Sequence, residues 1–258
     1  MNETDLSRSR ILVTNDDGIN APGLKVLEKI ARTLTKDVWV VAPETEQSGA
    51  GHSLTLTQPL RMRKLAKQRF AVSGSPTDCV LFAVGKIMAS SPPDLVLSGV
   101  NRGANIGDDV TYSGTVAAAM EAAILDLPAI ALSQQTNDEK AAHWPTATQF
   151  APDIIRRLLA AGWSSDVFMN VNFPDCRPEE VAGVSVVAQG RRKAGYAIRE
   201  GVDPRLHPYY WIGPAISREP RAGNTDYQAI DRREIAITPL HMDLTHRGAL
   251  RSLKKKMT

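Results

Sequence analysis

Cysteine is nearly missing from this chain: Cys79 and Cys176 are the two present, neither lies in a CxxC pair, and no His–Cys cluster has zinc spacing. A disulfide framework and a structural zinc site are thereby excluded. Long apolar runs are missing too. No stretch approaches the ~20 uninterrupted apolar residues that span a bilayer, and the polar first ten residues carry no apolar leader core. The expectation is a protein of the reducing cytoplasm that makes no use of a membrane. Nor is there an excess of one charge: 31 Lys and Arg against 28 Asp and Glu leave a formal net charge of +3. The basic residues are scattered except for Lys254, Lys255 and Lys256, which read as a solvated tail. That distribution requires no polymeric nucleic acid as partner. What the chain does have is 43% hydrophobic residues over 258 positions, enough to bury an ample core.

The apolar residues are grouped in short continuous runs. Ile11, Leu12 and Val13 precede a polar turn closed by Gly18, after which Leu24, Leu27, Ile30, Ala31 and Leu34 recur at helical spacing. VWVVA at 38–42, DLVL at 94–97 and AIAL at 129–132 are further strands of the same type. Continuous rather than alternating apolar strands predict a parallel sheet covered on both faces. Ser75-Pro76-Thr77-Asp78 reads as a helix start with a capping box, and an Ala-rich helix begins at Ser113-Gly114. Residues 54–72 interrupt the rhythm with a basic, alternating hairpin. A helix around 153–159 and a strand at 167–171 complete an α/β core over residues 1–177. From 178 to 258, Pro, Gly and β-like runs such as 234–238 predict a β-rich extension used in oligomerisation. The predicted architecture is a Rossmann-like, open, mostly parallel sheet with helices on both faces, and ligands in such sheets sit at the carboxyl ends of the strands.

The polar clusters fall at those ends. Asp16 and Asp17 follow the first strand, and two adjacent carboxylates repel unless a cation relieves them. Ser48, in a Gly-flanked loop after the second strand, and Asn101, in SGVN after DLVL, add neutral oxygens. An all-oxygen set suits one divalent ion of the hard type, Mg²⁺ or Mn²⁺ first and Ca²⁺ next. Further on, Asn105 lies in a Gly-rich loop, and Ser113, Gly114 and Thr115 open the Ala-rich helix, where the dipole and free N–H groups favour a phosphate. His52 beside Ser53 has no Gly-x-Ser-x-Gly elbow and no third partner. Neither the nucleotide-triphosphate loop nor the dinucleotide fingerprint is present.

These motifs resemble the SurE-type nucleotidases, also called stationary-phase survival proteins. The resemblance is carried by ILVTNDDGINAPG (11–23), VVAPETEQSGAGHSLT (40–55), GSPTDCV (74–80), DLVLSGVNRGANIGDDVTYSGTVAAAMEA (94–122) and NVNFP (170–174). YYW (209–211), Thr225-Asp226 and ITPLHMDLT (237–245) extend it over essentially the whole chain. Departures from the family pattern fall at Glu44, where an aspartate is usual, and at Arg233-Glu234, where a Gly-aromatic pair is common. The resemblance implies a divalent-metal phosphomonoesterase acting on nucleoside 5′- and 3′-monophosphates, and leaves short polyphosphate open as a further substrate. It implies Asp16, Asp17, Ser48 and Asn101 as metal ligands, with Asn105, Ser113, Gly114 and Thr115 around the phosphate. It also implies a homodimer or homotetramer assembled in part by an exchanged C-terminal segment.

The expected catalytic groups are Asp16 and Asp17 acting with metal-activated water. A phosphoaspartate route needs Asp-x-Asp after the first strand, where this chain has Asn15-x-Asp17 and Asp16-x-Gly18. The alternative from another class is a non-enzymatic, Mg²⁺-dependent phospho-ligand or signalling module. A receiver-type version would need an aspartate after DLVL, where Ser98 and Gly99 stand.

Overall fold

The computed structural model describes residues 5–136, 142–191, 193–217 and 223–257. Its elements in chain order are β1 (Arg10–Thr14), α1 (Pro22–Leu34), β2 (Asp37–Pro43), β3 (Met62–Ala66), β4 (Arg69–Val72), α2 (Pro76–Phe82), β5 (Leu95–Arg102), α3 (Gly114–Ile124), β6 (Ala129–Gln134), α4 (Trp144–Ala161), β7 (Val167–Phe173), β8 (Gly183–Val186), β9 (Lys193–Val202), β10 (Pro208–Ser217), α5 (Asp226–Asp231), β11 (Glu234–His241) and α6 (Arg247–Met257).

Nine strands form one sheet in the order β3-β4-β2-β1-β5-β6-β7-β11-β8. The pairs β4–β2, β2–β1, β1–β5, β5–β6 and β6–β7 are parallel, whereas β3–β4 and β7–β11 are antiparallel. The continuous apolar runs explain the parallel centre, because alternate residues of each strand serve opposite faces and both faces are covered. Ile11 and Val13 join the core under α1 and α4, while Leu12 between them joins the core under α2 and α3. At the edge, β3 is exposed throughout and carries Arg63 and Lys64, charges that discourage further strand pairing. The mostly parallel, Rossmann-like α/β fold expected from the apolar runs is the fold observed.

The chain leaves β1 towards β2 on one side and later returns to build β5, β6 and β7 on the other. The carboxyl ends of β1 and β5 therefore border the point where strand order reverses, the usual ligand crevice of this architecture. Ser75 and Asp78 form the expected capping box at α2, with the Ser75 hydroxyl accepting from the Asp78 N–H.

Several features lie beyond what the sequence pattern showed. Helix α4 starts at Trp144, well before 153, and Pro152 inside it obscures the helical periodicity. Strands β8 and β11, from the C-terminal stretch, extend the main sheet, while β9 and β10 stand apart as a two-stranded ribbon. The Lys254–Lys256 run lies in the last turn of α6, where cations complement the helix dipole. That helix has no buried residue.

Helix α1 approaches the sheet unusually closely. A Cβ added at Gly23 would lie 1.9 Å from the Val100 carbonyl oxygen and 3.1 Å from the Trp144 ring. Glycine-to-alanine replacement in a helix ordinarily gains ~0.5–1 kcal/mol, but forcing a methyl into a filled contact costs ~1–3 kcal/mol. Gly23→Ala is therefore expected to lower stability by about 1–2 kcal/mol, read as a lower urea midpoint with an unchanged slope.

Candidate metal and phosphate site

The turn after β1 holds its own shape. The Asn15 side-chain amide donates to the Gly18 carbonyl at 3.1 Å, and Gly18 adopts φ +97°, a left-handed conformation that favours glycine. The turn is also tied to the loop after β2. The Gln47 N–H donates to the Asp16 carbonyl at 2.8 Å, and the Ile19 N–H donates to the Pro43 carbonyl at 2.8 Å.

Asp16 is almost sealed, at 4% exposure. Its carboxylate accepts from the Thr115 hydroxyl and lies at the start of α3. Burial pushes the Asp16 carboxyl above its usual range, against hydrogen bonds from Thr115 and from the backbone N–H groups of Thr115 and Gly114. Gly114 permits that approach, since a Cβ there would lie 2.8 Å from the Asp16 Cβ and 3.0 Å from Pro76. Asp17 is half-buried and accepts from the Arg102 N–H at 3.4 Å. Its carboxyl is raised to about 6, first by burial and then by the charge of Asp16, with Glu46 adding to the effect.

Asn101 is delivered by an irregularity in β5. The β5–β6 register shifts between Ser98 and Asn101, and Gly99 at φ +130° lies so close to β6 that a Cβ would meet the Leu132 carbonyl oxygen at 2.2 Å. Such a bulge re-aims the residues that follow it. The Asn101 amide nitrogen donates to the Gly103 carbonyl at 2.9 Å, and its Oδ1 has no hydrogen bond among the described residues. Ser48 is exposed, and its hydroxyl donates to Glu46 at 2.9 Å rather than to either aspartate. The structure thus brings Asp16, Asp17, Gly114 and Thr115 into one cluster beside Arg102. Ser48 is on the adjoining loop with its side chain engaged elsewhere.

The residues present fit a hard cation. Two carboxylates lie side by side, one nearly sealed, and among the described residues neither forms an ion pair. The buried Asn15 Oδ1 of the same turn has no hydrogen-bond partner. Among the described residues no three His, Cys, Asp or Glu side chains gather in a metal-ligating group, so neutral oxygens would have to complete the coordination.

Ser113 caps α3, its Oγ accepting from the Val116 N–H at 3.0 Å, which leaves its own proton for donation. Asn105 is buried and held from several sides. Its N–H donates to Asn172 at 2.8 Å, its side-chain amide donates to the Ser133 hydroxyl at 2.9 Å, and its carbonyl accepts from Asn170 and Asn172.

The sequence reading did not single out Asp226 as a part of the site. Fully buried at the start of α5, it accepts from the Gly107 N–H at 2.7 Å, the Gly190 N–H at 2.8 Å and the Tyr227 N–H at 2.9 Å. Burial raises its carboxyl against those three donors. The Gln189 side chain donates to the Gly107 carbonyl at 2.7 Å, and a Cβ on Gly107 would lie 2.3 Å from the Tyr227 ring. The loop between Asn101 and Ser113 is thus clamped by the C-terminal part of the chain. The one available signal was the Thr225-Asp226 pair, whose partner lies 119 positions away.

Leaving a buried N–H without an acceptor costs ~1–3 kcal/mol. Asp226→Ala orphans those of Gly107 and Gly190, so a loss of about 2–5 kcal/mol in urea unfolding is expected. Asp231→Ala, at the exposed end of the same helix, is the control and should lose less than about 1 kcal/mol.

The model of the survival protein SurE family matches residues 11–196. A 5′-nucleotidase SurE from Paramagnetospirillum magneticum is 57% identical over 250 residues, covering 97% of this chain and 96% of that protein. Another, from Parvibaculum lavamentivorans, is 56% identical over 95% of this chain and 89% of its own length. Among solved structures, the SurE protein of Aquifex aeolicus superposes with a TM-score of 0.82 at 38% identity, covering 96% of this chain and 100% of that one. With the family model spanning most of its length and relatives more than half identical almost from end to end, the chain belongs to the survival protein SurE family.

Proposed function

We propose that this chain is a divalent-metal-dependent phosphomonoesterase that hydrolyses nucleoside 5′- and 3′-monophosphates to nucleoside and phosphate, with short polyphosphate as a further substrate. The observation that carries the proposal is the Asp16–Asp17 pair at the crevice between β1 and β5, in which neither carboxylate forms an ion pair among the described residues and the charge of Arg102 offsets only part of the burial and mutual repulsion at Asp17. The relatives named 5′-nucleotidase support the substrate class.

Asp16, Asp17, Asn101 and Ser48 would hold the ion, Ser48 after its hydroxyl leaves Glu46. Mg²⁺ and Mn²⁺ suit these oxygens best, with Ca²⁺ next. When bound, the ion supplies charge neutralisation at phosphate and a more acidic water. Asp17, half-buried and reachable from solvent, takes the proton of the attacking water at its carboxylate. Asp16, held under Thr115, orients the turn.

Ser113 donates its hydroxyl proton to a phosphate oxygen, and Gly114 and Thr115 offer N–H groups at the positive end of α3. Asn105 can donate as well if its amide turns over. The Ser133 hydroxyl then donates to Oδ1, and Nδ2 is released towards the phosphate. Each such donor is worth ~2.7–4 kcal/mol of transition-state stabilisation in comparable anion holes.

Assembly into a homodimer or homotetramer is part of the same proposal. The β9–β10 ribbon leaves Ile198, Tyr210, Trp211 and Ile212 exposed, and a two-stranded ribbon alone is marginally stable in water. Partner copies covering that apolar surface would supply the missing burial.

The test is phosphate release from nucleoside monophosphates with Mg²⁺, Mn²⁺ or Ca²⁺, and with a chelator. The wild-type protein should release phosphate only with metal, and Asp17→Asn should reduce kcat by at least about 10²-fold at saturating metal. Near-wild-type turnover of Asp17→Asn would overturn the assignment, and nucleotide binding without turnover would mean a phospho-ligand-binding protein instead.

A further inference from the structure

A cleft of about 540 Å³ opens beside the carboxylate pair, with Thr45, Gln47, Gln58, Arg61, Ser73 and Ser75 on its walls. Three contacts place it there. The Gln47 N–H bonds the Asp16 carbonyl at 2.8 Å. The Thr45 backbone lies 3.2 Å from where a Cβ on Gly18 would stand. Pro76, the neighbour of Ser75, lies 3.0 Å from the corresponding point on Gly114. The cleft and the candidate metal site thus share a wall.

That wall is rigid where it is internally bonded. The Ser75 hydroxyl donates to the Ser53 carbonyl at 2.7 Å, the Thr55 hydroxyl donates to Asp78 at 2.6 Å, and the Ser73 hydroxyl accepts from the Arg61 N–H at 2.8 Å. Arg63 nearby is already paired with Glu44 at 2.8 Å. The side chains of Gln58 and Arg61 are different: exposed on the rim, they have no hydrogen-bond or ion-pair partner among the described residues. A preformed polar hollow with two unengaged donors is a site that recognises hydrogen-bonding groups. No aromatic ring lines it, so stacking contributes nothing.

We propose that this cleft receives the nucleoside half of the substrate, with Gln58 and Arg61 donating to sugar hydroxyls and the base edge. The proposal rests on the phosphomonoesterase reading. A nucleoside monophosphate has two unlike halves, an anion that belongs at the carboxylates and the start of α3, and a neutral body rich in hydroxyls and ring nitrogens. The volume suffices, because small-molecule sites commonly measure ~300–1,000 Å³.

The experiment compares adenosine 5′-monophosphate with p-nitrophenyl phosphate, whose leaving group has neither sugar hydroxyl nor base edge, in wild type, Gln58→Ala, Arg61→Ala and the double variant. The expected result is a fall in the ratio of kcat/KM for the nucleotide to that for the nitrophenyl ester. It should be about tenfold for each single variant, chiefly through KM, and larger for the double. A ratio constant within about twofold overturns the proposal. Should the wild-type protein hydrolyse neither ester, the phosphomonoesterase reading fails. Calorimetric titration with adenosine 5′-monophosphate then decides the cleft separately: weaker binding by the double variant supports it, and equal binding overturns it.

Discussion

The burial of one carboxylate at the start of a helix is the constraint on which the site depends. An ionised carboxylate removed from water is costly unless donors surround it, and Asp16 receives them from the Thr115 hydroxyl and the first N–H groups of α3. The helix dipole adds a positive end at the same place. For that geometry α3 must come within contact of the β1 turn, which requires glycine at 114 and small residues along the helix. The Ala-rich sequence of α3 is therefore more than helix propensity. It sets the depth at which the helix packs on β5 and β6. Even so, burial leaves the Asp16 carboxyl above its usual range, and Asp17 beside it is raised to about 6 by its own burial and by the charge of Asp16.

Around that contact the site draws on distant parts of the chain. The turn after β1 carries the carboxylates, the loop after β2 is tied to that turn by the Gln47 N–H on the Asp16 carbonyl, and the bulge in β5 precedes Asn101 and Arg102, whose N–H reaches Asp17. The following loop would be a long polar excursion with glycines and little to hold it. It is held from outside, by Asn170 and Asn172 on β7 and by Asp226 on α5. Its outer end touches the ribbon, where Tyr196 meets the exposed Tyr112 ring edge-on at 6.0 Å. The C-terminal third of the chain is thus as much a part of the site as the strand ends are.

This division also explains what could be read from the amino-acid sequence. Strands β1, β2, β5, β6 and β7 were legible because each is a run of apolar residues that must be buried on both faces. The hairpin expected over 54–72 was legible in its second half, where alternation and basic residues mark an edge, and is observed as β3 and β4 with β4 paired to β2; residues 54–61 form no strand. The Ser75–Asp78 box was legible because capping acts over three residues. Asp226 was not, because its acceptor role is defined by N–H groups 119 and 36 positions away. The placement of β8 beside β11 and the early start of α4 were hidden for related reasons: one depends on pairing between distant segments, the other on a helix containing proline. The Ser48 hydroxyl is a subtler case. Its loop was evident, but the preference of that hydroxyl for Glu46 depends on side-chain geometry that spacing does not encode.

Under the proposed function, the start of α3 has two anions to serve, and its donors can be counted. Asp16 takes the Thr115 hydroxyl, the nearby N–H groups of Gly114 and Thr115 favour its charge, and the Val116 N–H is taken by the Ser113 cap. Side-chain donation towards a phosphate is then limited to the Ser113 hydroxyl, with Asn105 available only after its amide turns over at Ser133, and the Gly114 and Thr115 N–H groups face both anions. A phosphate cannot bind there as a simple addition. It must share donors with Asp16, which is favourable only when positive charge between the two anions replaces what Asp16 gives up. The same burial that orders the turn thereby couples phosphate affinity to cation occupancy.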